Sequence, residues 1–209
     1  MHLCDFHGPT DLRLYRWVNR DAGAPFDELM RVLSSRGLGI GFGLLVCAIL
    51  WLRWRHLAFR SFLALGLAMC VSDFAGSRLI RPIFARMRPC YALPPGTFRW
   101  LSPAANGPSL PSLHAANTFA LALVATLSWP KLALVAYPFA IAVSLSRVYV
   151  GVHWPTDVLA GAAWGTVSGL LAWLVSRILA RHFPRPQGDG ASSGPPARAA
   201  RFRDEGDEP

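Results

Sequence analysis

The sequence predicts an all-α fold, a polytopic bundle of membrane-spanning helices, on three observations. Hydrophobic residues make up 53% of the 209-residue chain, which also carries eight Trp, an excess over an ordinary soluble domain. Five segments are nearly free of charge: Gly37–Leu52, Ser61–Ile80, Leu113–Pro130, Leu132–Ser146 and Val158–Val175. The arginines are concentrated between those runs and in the tail. A spanning helix needs about 20 mostly apolar residues, and flanking Trp, Tyr, Arg and Lys extend the shorter runs into the interface. The alternative is a soluble bundle of buried helices, and five such runs weigh against it.

The N-terminal stretch MHLCDFHGPTDLRLYRW does not read as a signal peptide, because acidic residues and Pro9 interrupt any apolar core. Residues 10–36 carry five arginines among Leu12, Leu14, Trp17, Val18, Phe26, Leu29, Met30 and Leu33. That pattern predicts one or two short amphipathic helices, broken near Gly23-Ala24-Pro25, lying on the membrane or against the bundle. So charged a segment is not read as a sixth crossing. Residues 1–36 therefore form an interfacial segment and 37–183 the transmembrane unit, while 184–209 have the composition of a disordered tail.

Two of the connections are polar and rich in turn formers. The loop Arg81–Pro111 follows the second run, and Ser146–Asp157 follows the fourth. Two crossings lie between them, so both loops lie on the same face of the bundle.

The formal net charge is +9, with Lys131 the single lysine. Arginines placed at the ends of apolar runs suit anionic lipid headgroups better than nucleic acid. The four cysteines lack metal-ligand spacing. Cys47 and Cys70 fall inside apolar runs as small hydrophobes, and a Cys4–Cys90 bridge is left open.

Three patches on the shared face carry the chemistry. In RPIFARMRP, Arg81 and Arg88 are seven residues apart and Pro89 follows. PSLH runs from Pro111 to His114, and SRVYVGVHWPTD supplies Ser146, Arg147, His153 and Asp157. Arg81, Arg88 and Arg147 converging on one site would match phosphate oxygens with permanently charged forks. Ser112 fits an N-cap at the start of the third run, where backbone N–H groups also favour an anion. His114 and His153 offer a nucleophile and a proton donor. Pro155 suits the first turn of the last helix, leaving His153 just before it and Asp157 within it, so the carboxylate can hold the imidazole. Each piece has a plainer reading. Arg81, Arg86 and Arg88 serve equally as interfacial anchors, and Asp157 as a first-turn acid favoured by the helix dipole. A metal site of His114, His153 and Asp157 is disfavoured by the three nearby arginines.

In order, the patches read R-x6-RP, PSxH and SR-x5-H-x3-D. This resembles the type 2 phosphatidic acid phosphatase (PAP2) superfamily, over Arg81–Asp157 and in the arrangement of the surrounding runs. The resemblance implies a metal-independent phosphomonoester or diphosphate hydrolase with no cofactor. His153 would attack phosphorus to form a phosphohistidine, Asp157 would orient it, and His114 would protonate the leaving oxygen. Arg81, Arg88, Ser112, Arg147 and the amide of Leu113 would hold the phosphoryl oxygens. There are two departures from the family pattern: Arg81 stands where lysine is usual, and Leu113 where glycine is usual. The reading from another class, a non-catalytic phosphate-binding membrane protein or transporter, draws on Leu113.

Asp73 lies inside the second run, with Ser77 one turn along. A carboxylate at that depth is costly, and we expect an ion pair to Arg78 or Arg81 that orients a site arginine, the alternative being direct contact with substrate. The implied partners are a lipid phosphate or diphosphate and membrane lipids. Among bacterial family members the short form with an amphipathic N-terminal segment resembles undecaprenyl-diphosphate phosphatases. Phosphatidic acid, phosphatidylglycerophosphate and lipid A are the other substrates. Basic residues beside the last run lean to the cytoplasm, which puts the site on the outer side of a bacterial inner membrane.

Overall fold

The structure, a computed structural model, describes residues 3–53 and 55–182; the tail expected over 184–209 lies outside the described residues. Two short helices come first, α1 (Pro9–Val18) and α2 (Ala24–Leu33), each with proline in its opening turn, where the fixed φ suits a helix start. Their inner faces are mixed. Asp11, Tyr15 and Asp27 are buried, with Leu12, Val18 and Met30 packed on the bundle's core, whereas Leu14, Trp17, Leu29 and Val32 are exposed. Apolar side chains thus lie on both faces, as a segment between protein and lipid requires. The tie of α2 is an Arg99–Asp27 pair (2.5 Å), with the Tyr149 hydroxyl donating to the same carboxylate (2.5 Å).

Five longer helices form the bundle: α3 (Arg36–Arg53), α4 (Arg55–Ala75), α7 (Leu113–Ser128), α8 (Ala133–Tyr149) and α9 (Pro155–His182). Among the described residues four stretches are long and apolar enough to cross a membrane, Arg36–Arg53, Phe59–Phe84, Pro130–Tyr149 and Pro155–Ala180. The shorter apolar α7 packs on α4, α8 and α9. The expected long loop holds only two one-turn helices, α5 (Arg81–Phe84) and α6 (Pro89–Ala92). No strand occurs among the described residues; one isolated bridge joins Cys4 to Arg86. All four cysteines are free, which removes the Cys4–Cys90 bridge.

Two local devices aim the site. A π-helical turn at Gly76–Ile80 separates α4 from α5 and adds a residue before Arg81. Gly76 leaves room for its neighbours there, since a Cβ would come within 2.6 Å of Leu113 Cδ2 and 3.3 Å of Trp164 Nε1. The second device is on α9. A Cβ at Gly161, Gly165 or Gly169 would lie 2.4, 2.0 or 3.0 Å from the carbonyls of Ser112, Ala116 and Ala120. Small residues every fourth position let α9 lie backbone to backbone on α7, the usual way to gain packing where lipid supplies no hydrophobic drive.

Candidate active site

That close approach joins the N-termini of α7 and α9: the Ser112 amide donates to the Asp157 carbonyl at 2.9 Å. His153 sits just before α9, and Asp157 lies in its first turn, four residues on. Asp157 Oδ2 accepts the Trp154 N–H (2.9 Å) and faces His153 Nδ1 (3.3 Å). Arg88 Nη1 is 3.0 Å from His153 Nε2. A guanidinium has no acceptor, so Nε2 accepts from it, and the ring proton is assigned to Nδ1, donating to Asp157. Burial, and then the charges of Arg88, Arg147 and Arg81, hold the His153 pKa well below the usual histidine value. The imidazole is therefore neutral, with its lone pair on Nε2.

Main-chain carbonyls fix the arginines. Arg88 donates to Gly107 (3.2 Å), Val152 (3.0 Å) and Pro108 (3.3 Å), and Arg81 to Pro111 (3.2 Å). Arg147, buried in α8, donates to the Ser34 carbonyl (3.0 Å) and hydroxyl at the junction of α2 and α3. Arg147 Nε and the Ser112 hydroxyl are buried without a hydrogen-bond partner. Ser112 occupies the N-cap position but makes no side-chain cap, and it is fully buried at the start of α7. Leu113 opens α7 without strain: among the described non-glycine residues only Ala85 has positive φ, at 45°.

A single cavity of about 930 Å³ brings these groups together. Of the residues the motifs single out, Arg81, Arg88, Arg147, Leu113, His114 and His153 line it, whereas Ser112 and Asp157 do not. Arg36, at the start of α3, also lines it; the motif reading missed this residue because it lies far from the patches in sequence. Away from the charges the wall becomes apolar, with Ile40, Leu44 and Cys47 from α3 and Phe62, Leu65 and Met69 from α4.

Two expectations are corrected. Asp73 forms no ion pair with Arg78 or Arg81; its carboxylate lines the cavity and accepts from Asn117 Nδ2 at 3.4 Å. Asn117 is itself held by the Ser72 hydroxyl (2.7 Å). Ser77 turns its hydroxyl back to the Phe74 carbonyl (3.3 Å). The π turn between Asp73 and Arg81 breaks the regular helical spacing on which the expected pairing relied. Ser146 likewise bonds within its own helix, to the Val143 carbonyl at 2.7 Å, and does not enter the site.

Arg86, which the sequence left among the interfacial anchors, is buried instead. It bridges Asp157 Oδ1 (2.7 Å) and Asp11 of α1. No motif spacing marks it. The usable signal was Asp11, the single acid of α1, which once buried needs a cation. Among the described residues no group of three or more His, Cys, Asp and Glu is arranged to hold a metal ion.

The profile of the PAP2 superfamily matches residues 58–181. A lipid A 4'-phosphatase of Bacteroides thetaiotaomicron is 26% identical, over 85% of this chain and 81% of its own. An undecaprenyl-diphosphatase of Sulfolobus acidocaldarius is 28% identical, over 75% of this chain and 73% of its own. A putative undecaprenyl-diphosphatase of Escherichia coli is 34% identical, over 63% of this chain and 65% of its own. Among solved structures, LpxE of Aquifex aeolicus shares the fold at a TM-score of 0.63 and 23% identity, covering 82% of this chain and 98% of that one.

Proposed function

Because the chain belongs to the PAP2 superfamily, and is thus a multi-pass membrane phosphoric ester hydrolase, we propose that it converts undecaprenyl diphosphate to undecaprenyl phosphate through a phosphohistidine on His153. The observation that carries this reading is the continuity of the cavity, from four arginines and two histidines into an apolar groove between α3 and α4. A headgroup bearing more than one negative charge meets the arginines while a long chain stays among Ile40, Leu44, Phe62 and Met69. Diphosphatases among the relatives support the same substrate.

In the first step His153 Nε2 attacks the terminal phosphorus. The Nε2–P bond forms as the bridging P–O bond breaks, and the leaving oxygen takes a proton from His114. Water then attacks the phosphohistidine, the N–P bond breaks, and the proton released by water returns to His114. Asp157 holds Nδ1–H throughout and balances the charge the ring gains. Arg81, Arg88, Arg147, the Ser112 hydroxyl and the Leu113 amide hold the equatorial oxygens, stabilising charge as it develops.

A second reading, a monophosphate lipid substrate, is favoured by Asp73: its carboxylate on the cavity wall opposes a second phosphate and accepts from hydroxyl or amine donors. The lipid A 4'-phosphatase relative fits it. The site is proposed to face the outer side of a bacterial inner membrane, with Arg53, Arg60, Lys131 and Arg177 marking the cytoplasmic ends.

The test is phosphate release by purified protein from undecaprenyl diphosphate, phosphatidic acid, phosphatidylglycerophosphate and lipid A, all with EDTA present. Diphosphate preferred over every monophosphate is the expected result; a preference for any monophosphate refutes the substrate. Release that survives His153→Ala refutes the nucleophile, and loss of activity in EDTA refutes metal independence.

A further inference from the structure

We propose that Asp11 and Arg86 are positioning residues for catalysis: the Asp11 carboxylate neutralises Arg86, which leaves the negative charge of Asp157 to the nucleophile. The inference rests on His153 as that nucleophile. It starts from a chain of contacts between the N-terminal segment and the catalytic pair. Arg86 Nη1 donates to Asp157 Oδ1 at 2.7 Å, and its Nη2 donates to Asp11 Oδ2. Its Nε donates to the Phe6 carbonyl at 2.9 Å, so each guanidinium nitrogen is committed. The side chains of Arg86, Asp11 and Asp157 are only 3%, 5% and 0% exposed, so water does little to screen them.

Asp11 is held as firmly at its other end. Its Oδ1 accepts the Thr156 N–H at 3.1 Å and its Oδ2 the Thr156 hydroxyl at 2.7 Å. A side chain of α1 thus caps the first turn of α9, one residue from Asp157. Nearby, the His7 ring stacks on Trp154 with centroids 4.5 Å apart, and Tyr15 packs on the same indole at 5.2 Å.

Charge accounting shows what the arrangement does. Asp11, Arg86 and Asp157 together carry one net negative charge. As His153 bonds to phosphorus its ring becomes cationic, and the buried cluster comes to neutrality. Without Asp11 the arginine would cancel Asp157 outright, and the phosphorylated ring would have no counter-charge. Arg86 is not among the residues that line the cavity, so the loss falls on the chemical step rather than on binding.

The experiment is steady-state phosphate release from a lipid diphosphate by the full chain in detergent, with thermal unfolding followed in parallel. Three variants are compared: Asp11→Asn, Arg86→Gln, and the double Asp11→Asn/Arg86→Gln. Asp11→Asn is expected to lower kcat on the order of tenfold with KM within about twofold, as for strongly coupled charges in one network. The double variant, which restores the net charge, is expected to recover about threefold of that loss. A kcat for Asp11→Asn within about twofold of wild type, whatever its melting temperature, overturns the proposal, as does a double variant no better than Asp11→Asn. If Asp11→Asn does not fold, Thr156→Val decides. It removes a hydroxyl but no charge and should stay within about threefold in kcat, whereas a tenfold fall would assign the cluster to geometry alone. Trapping of a phosphoenzyme separates the premise from the inference: label on a residue other than His153 refutes the nucleophile, while the kcat pattern judges Asp11 and Arg86.

Discussion

Replacing Gly165 with alanine tests the link between packing and site most directly. The added Cβ would lie 2.0 Å from the Ala116 carbonyl oxygen, about 1.4 Å short of the 3.4 Å at which ordinary contact begins. The obstructing atom is helix backbone, which cannot turn aside as a side chain would, so α9 and α7 must part. Alanine gains about 1 kcal/mol in helix propensity over glycine. Against it stands overpacking, about 3 kcal/mol at the upper end of its range because the clash is with backbone. The net loss is about 2 kcal/mol, a fall of roughly 4–8 °C in Tm for a chain of this size. The displacement also reaches the Ser112–Asp157 contact at the same helix ends, and a misplacement of about 1 Å can cost ~100-fold in rate. Thermal unfolding in detergent and phosphate release measure both. Damage should rank Gly165→Ala, then Gly161→Ala, then Gly169→Ala, following clash distances of 2.0, 2.4 and 3.0 Å. Gly39→Ala, with no atom within 4 Å, should be neutral or slightly stabilising. A Gly165→Ala protein with wild-type Tm and rate, or a damaging Gly39→Ala, refutes the reasoning.

Other outcomes follow from single contacts. His153 is held below the usual histidine range, so the acid limb that its protonation sets on kcat/KM should lie below about 6.5, and Arg88→Gln should move that limb upward. The same shift bears on stability: below about 6.5 the unfolded chain binds more protons than the folded one, so unfolding measurements should show stability lost as the solution is made more acidic, by up to about 1.4 kcal/mol per unit. Asp73→Asn should improve kcat/KM for diphosphate relative to monophosphate lipids; an unchanged ratio would remove Asp73 from substrate selection. Gly76→Ala should cost about 1–3 kcal/mol with Leu113 present and measurably less in a Leu113→Ala background, since the Leu113 side chain occupies the space the new Cβ needs.

The sequence made legible whatever rests on local pattern. Apolar runs gave the five bundle helices, and the break at Gly23-Ala24-Pro25 gave α1 and α2. Loop parity alone puts the three patches on one face, where Arg81, Arg88, His114, Arg147 and His153 line one cavity while Asp157 contacts His153 and Ser112. What stayed hidden depends on tertiary contact. Arg86 has the same chemistry in sequence as an anchor facing lipid headgroups, and only the docking of α1 makes it a buried partner of Asp157. Asp73 misled because its pairing was reasoned on regular helix spacing, which the π turn disrupts. The glycines at 161, 165 and 169 were visible as a four-residue spacing, but their meaning appears only against the carbonyls of α7.

The Asp11 contact also sets an order on assembly. Asp11 and Asp157, the two carboxylates that share Arg86, are separated by 146 positions (157 less 11). At the usual rate of about 5–20 residues per second, roughly 7–30 s pass between their syntheses. During that interval α1 has no α9 to cap, and Arg86 has only one of its acids. The N-terminal segment, made first, therefore takes its final seat on the bundle only after α9 has been made.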